Sequence, residues 1–153
     1  MASIQAIDNG VLDLSIDRAV QAVFRTMIGK PARIVPTLMD PSNYTVKLEQ
    51  IHVVGTAGVV GDLTGLIYLY FSQPLAEYCA SRMLGLSLLK IASTGEKVVN
   101  EVVGELTNMT LGTFKNQLVE LGLPCRLTLP TVQRGVYVQT RPSRAHRPPL
   151  LPV

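Results

Sequence analysis

One stretch of the chain, GELTNMTLGTFKNQL from Gly104 to Leu118, sets polar side chains in an arrangement that could do chemistry. At about 100° per residue, a helix here gathers Glu101, Glu105, Asn108, Gly112 and Lys115 into a sector of about 80°, running for roughly four turns. Val98, Val99, Val102, Val103, Leu106 and Met109 crowd another side, the one expected against a core. Gly104 and Gly112 each cost about 1 kcal/mol relative to Ala in a helix interior. A solvated surface gains nothing from that cost. A surface approached by another backbone does gain, because a missing Cβ at Gly112 lets a partner reach Glu105 and Asn108. The sector therefore reads as a docking ridge, with an ordinary wet helix face as the alternative.

Other chemistries find little support. Ser93 and Thr94 lack a local histidine, and the only histidines are His52, in an apolar run, and His146, near the end. Two histidines and two distant cysteines make no metal set. VVGTAGVVGD has glycines but no GK[ST] ending, so hairpin turns explain it better than a phosphate loop. What remains is a carboxylate and a carboxamide, which suit the positioning of a partner's reactants more than covalent or acid-base work.

The elements that must carry the ridge follow from periodicity. Asp17 can cap a helix through Ile28, with Ala19, Val20, Val23, Phe24, Met27 and Ile28 as its apolar stripe, stopped by Gly29 and Pro31. Arg33 to Thr37 reads as extended and Asp40 to Tyr44 as a turn. From Thr45 to Gln73 the period becomes two, giving two or three antiparallel strands joined by short turns. Pro74 opens a second helix through Leu84, ended by Gly85. SLLKIAST carries little periodic signal. The ridge helix is expected from Gly95 to Leu121, closed by Gly122 and Pro124, and Cys125–Pro130 and Gly135–Thr140 are β-prone. VFRTMIGKPARIVP is weakly echoed by TFKNQLVELGLPCRLTLP. The fold class expected is α+β, a two-layer domain with helices on one face of a mostly antiparallel sheet. Its other face or an edge must meet solvent or a second subunit.

The 153 residues suffice for one domain, expected over 1–140, and 47% are hydrophobic. RPSRAHRPPLLPV, residues 141–153, cannot form a core and reads as a disordered tail. The net charge of +3 is misleading until located: no acid follows Glu120, whereas five arginines do. The body is slightly acidic, which argues against nucleic-acid binding. No apolar run is long enough to span a membrane, MASIQAIDNG has no signal-peptide pattern, and lone Cys79 and Cys125 suit a reducing compartment, so the cytoplasm is expected.

Beyond Glu105-Leu106-Thr107-Asn108, VFRTMIG, GDLTGLIYLYF with its Pro-initiated helix and Leu-Gly ending, GLPCRLTLPT and GVYV resemble the CheX/CheC family of chemotaxis phosphatases, particularly its CheX-like branch. The resemblance covers roughly residues 5 to 140. It implies a CheC-like pseudo-repeat and hydrolysis of the aspartyl phosphate of a CheY-like receiver domain. Asn108 would hold a water in line with phosphorus and Glu105 would pair with the receiver's active-site lysine, while Glu101, Gly112 and Lys115 would contact the partner. Mg²⁺ would sit on the receiver, leaving this chain with no cofactor or metal. The first helix has Gln21, Phe24 and Arg25 with no acid-x-x-Asn, so one site is implied, in a homodimer joined at sheet edges. The family pattern implies Asp or Ser where this chain has Glu101, and Asn where it has Thr113. A silent receiver-binding or dimerisation module remains the alternative.

Overall fold

The computed structural model describes residues 9–34 and 45–139. The expected turn at Asp40–Tyr44, all but the first two residues of the expected strand Arg33–Thr37, and the tail at 141–153 lie outside them. The elements are α1 (Asn9–Met27), β1 (Thr45–Gly61), β2 (Gly65–Ser72), α2 (Gln73–Leu84), α3 (Leu88–Thr94), α4 (Glu96–Glu120), β3 (Cys125–Leu127) and β4 (Thr131–Gln139). Among them no helix is long and apolar enough to cross a membrane.

The sheet is antiparallel throughout and built on β1. β2 pairs along one edge, from His52 opposite Ser72 to Val59 opposite Gly65. Along the other edge lie β3, opposite residues 59–61, and β4, opposite residues 45–56. Between Lys47 and His52 the register shifts, so that residues 48–51 of β1 face the single residue Val136 of β4. Such a bulge bends the strand locally.

Alternation then divides the faces. Val53, Ala57 and Val59 of β1, with Phe71 of β2, are buried in the clusters beneath the helices. On the opposite face Tyr68 and Tyr70 stack at 6.5 Å between centroids. Burial raises both phenols, Tyr70 up to about 12 with the neighbouring Tyr68 adding to its shift.

The helices pack through two apolar clusters. Val20, Val23, Phe24 and Ile28 of α1 meet Val99, Val102, Val103 and Leu106 of α4 in one. Ala19 meets Leu111, Phe114 and Leu118 in the other, with Leu12 and Ile16 packed against it. The pairing runs α1 antiparallel to α4. Each Val, Leu, Ile or Phe side chain among them that is fully buried stabilises the fold by roughly 1.5–3 kcal/mol.

Several expectations shift by identifiable causes. α1 begins at Asn9, eight residues before the expected cap; Asp17 accepts a bond from Gln21 at 3.4 Å inside the helix instead. The glycines of VVGTAGVVGD do not mark hairpins before Gly61: Gly55 and Gly58 lie within β1, and the turn comes at residues 62–64. Gly55 is there because α4 lies directly on the strand, where a Cβ would fall 1.8 Å from Thr107 Oγ1. α3 was unmarked in the sequence because it buries only Ile91; Ser87 caps it by accepting from Lys90 N at 3.1 Å. β4 starts at Thr131, four residues before the expected run.

Candidate functional site on α4

The polar ridge is displayed by the burial of its neighbours. Within Glu105-Leu106-Thr107-Asn108, the two middle residues are fully buried and the outer two exposed. Thr107 is locked against Gly55 and donates its hydroxyl to Val103 O at 2.7 Å. Rotating α4 to hide Glu105 or Asn108 would pull Leu106 and Thr107 out of the core. The register of α4 on β1 is what turns the acid and amide outward.

Glu101 is exposed with them, while Gly112 and Lys115 are half-buried further along. From Glu101 to Lys115 the ridge spans about 21 Å at 1.5 Å per residue. Among the described residues, the side chains of Glu101, Glu105 and Asn108 make no hydrogen bond or ion pair within the chain. The two glycines of α4 differ. A Cβ at Gly104 would meet Val132 of β4 at 3.5 Å, whereas one at Gly112 would meet nothing within 4 Å. Gly104 faces the sheet, and Gly112 faces open space.

Beside Gly112 runs a cleft of about 380 Å³ between α1 and α4, lined by Ala22, Val23 and Thr26 on one side and Met109, Gly112 and Thr113 on the other. Thr113 returns its hydroxyl to Met109 O at 3.1 Å, leaving the cleft floor short and mostly apolar.

A clamp unmarked in the sequence holds the start of α4. Arg134 of β4 donates through Nε to Asn100 Oδ1 at 2.7 Å and through a terminal nitrogen to Gln73 Oε1 of α2. Its Nε also lies 3.8 Å from the Glu96 carboxylate. One guanidinium thus ties β4, α2 and the first turns of α4 together. Arg134 stands just before Gly135, where the expected strand began; only its alternation with Val132 could have placed it toward the helices.

Other reactive groups are occupied or inert. Ser93 and Thr94 donate to Lys90 O and Ile91 O, both at 2.7 Å. His52 Nδ1 lies 2.9 Å from Gln50 O. Burial pushes the Cys79 thiol up to about 11. Burial also raises Cys125, against the opposing effect of the nearby Lys115 ammonium. Among the described residues, no group of three or more His, Cys, Asp or Glu could hold a metal ion.

Comparison with known proteins places this geometry in a family. The family model described as chemotaxis phosphatase CheX matches residues 53–148, which include the whole of α4. A CheC-like superfamily protein from Shewanella sp. PV-4 shares 25% identity over 84% of this chain and 79% of its own, with a TM-score of 0.68. CheX from Desulfovibrio desulfuricans is 22% identical over 84% and 82%, with a TM-score of 0.67. CheX from Borrelia burgdorferi, solved in a complex with CheY, BeF3 and Mg²⁺, is 20% identical over 79% and 75%, with a TM-score of 0.55. No curated protein sequence matches the chain. The family match spans more than half of the sequence: the chain belongs to the CheX family of chemotaxis phosphatases.

Proposed function

We propose that this protein hydrolyses the aspartyl phosphate of a CheY-like receiver domain, with α4 as its docking and catalytic helix. One observation carries the reading: Glu105 and Asn108 stand exposed one turn apart, fixed by buried neighbours and without a hydrogen bond or ion pair among the described residues. An amide donates and accepts at once. The Asn108 carboxamide can therefore hold a water in line with the phosphorus, and Glu105 seats the helix by pairing with the receiver's active-site lysine. Glu101, Gly112 and Lys115 complete the contact. Phosphoryl transfer is governed by in-line positioning and electrostatics, so little covalent chemistry is asked of this chain. The receiver brings the phosphoaspartate and Mg²⁺. The complex of Borrelia CheX with CheY supports a partner of this class.

The test is phosphate release from a panel of phosphorylated receivers, comparing the parent with Asn108→Ala. Acceleration by the parent alone supports catalysis through Asn108. Docking without acceleration by either protein would favour a silent receiver-binding module.

A receiver substrate would put the protein in the cytoplasm. The same reading includes a homodimer joined at sheet edges. β2 and β4 each pair only with β1 among the described residues, so each has a second edge able to take a strand. Sedimentation equilibrium showing a monomer at assay concentrations would remove that part of the proposal.

A further inference from the structure

The ridge poses a charge problem. It turns two carboxylates, Glu101 and Glu105, outward, toward a partner whose phosphoryl group carries roughly two negative charges near neutral pH. Lys115, at the far end of the ridge, is half-buried and its ammonium acts on the Cys125 thiol. Lys97, exposed one turn before Glu101, brings one positive charge to the start of the ridge, and two more face outward across the cleft. Arg18, Ala22 and Arg25 follow one another at spacings of four and three, forming one column of α1. Ala22 lines the cleft and both arginines are exposed. Neither guanidinium makes a hydrogen bond or ion pair among the described residues.

Arg25 has a local reason to be basic, because it stands in the last turn of α1, where a cation offsets the helix dipole. Arg18, in mid-helix, has none. Between the two columns Ala22 and Gly112 leave low points beside Met109 and Asn116, where a body resting on α4 can settle across both helices.

We infer that α1 is the second half of the docking surface, and that Arg18 and Arg25 bind the acidic surround of the receiver's phosphoaspartate, setting affinity while Asn108 sets rate. The inference rests on the receiver reading above. It assigns the first helix a recognition role in place of a second catalytic motif. Charges at the rim of an interface act mainly on association and on its salt dependence.

The experiment separates the two claims by measuring binding apart from turnover. Phosphorylated receiver is titrated onto Asn108→Ala by fluorescence, with and without Arg18→Glu and Arg25→Glu together. The parent and the double arginine variant are then compared for kcat and KM. The charge reversals are expected to weaken binding and raise KM by about tenfold, most strongly at low salt, with kcat within about twofold. Arg18→Lys with Arg25→Lys should restore most of the affinity, which a merely misfolded variant could not do. Affinity and KM unchanged by the double reversal would overturn the inference while leaving the phosphatase reading intact. If no receiver is hydrolysed, yet the reversals still abolish binding, the phosphatase reading falls and this one stands. If the parent binds no receiver of the panel, both fall.

Discussion

Helices α1 and α4 lie side by side and end alike. In each, a glycine at φ +81° follows the last turn and a proline comes two residues later, Gly29 with Pro31 and Gly122 with Pro124. Each also carries carboxamides, and between Gln21 and Asn108 the likeness stops. Gln21 of α1 accepts from Ala32 N at 3.0 Å through Oε1 and donates through Nε2 to Ala32 O. It staples the chain leaving α1 back onto the helix. Asn108 of α4 is exposed and has no hydrogen bond among the described residues. Two halves of one pseudo-repeat have thus put the same functional group to opposite uses, one to hold the fold and one to meet a partner. α4 itself has both kinds, since Asn100 is held by Arg134 while Asn108 is left for a partner.

Exchanging the two effects would break that comparison. The largest change is expected for Asn108→Ala, which should lower phosphatase turnover by about a hundredfold or more, the scale seen when one positioned hydrogen-bonding group leaves an active site. Its melting temperature should not fall, because among the described residues the removed amide makes no hydrogen bond and alanine is the better helix former. Gln21→Ala should do the reverse. Turnover per folded molecule is kept, and stability falls by about 1–2 kcal/mol for two lost bonds to a partly buried backbone. Chemical denaturation and a single-turnover assay on the same samples decide the matter. A Gln21→Ala protein that is stable but inactive would mean that α1 carries a catalytic amide after all.

How far the sequence reveals this structure depends on what holds each part. α4 runs from Glu96 to Glu120 against an expected Gly95 to Leu121, because twenty-five residues of apolar periodicity between two glycines leave little choice. α2 is similarly marked by Pro74 and Gly85. The start of α1 was hidden because Asp17 resembles a cap, and only the packing of Leu12 and Ile16 against the second cluster extends the helix backward. Gly55 resembled a turn residue. Its actual constraint is Thr107, fifty-two positions away, and no local pattern carries that contact. The ridge itself was legible, since exposure of Glu105 and Asn108 follows from the phase of α4. The engagement of Gln21 and the clamp of Arg134 on Asn100 were not, because each depends on where two distant segments meet.

The two glycines of α4 allow the finest test of what faces a partner. Neither has a positive φ, so alanine is conformationally allowed at both. Each substitution should recover up to about 1 kcal/mol of helix propensity, raising the melting temperature by about 2–4 °C for a domain of this size. At Gly104 the new methyl makes an ordinary contact with Val132 at 3.5 Å, inside the fold, and the KM for a phosphorylated receiver should not move. At Gly112 the methyl enters space that, apart from the helix's own nearby backbone, no atom of the described residues occupies within 4 Å. If a receiver backbone rests there, Gly112→Ala should gain stability and lose affinity together, with Gly112→Leu blocking docking through bulk. Michaelis curves and thermal melts on the two alanine variants make the comparison. Equal gains in stability with KM unchanged at both positions would show that the ridge is met at a distance, and that Gly112 is kept for some reason other than close approach.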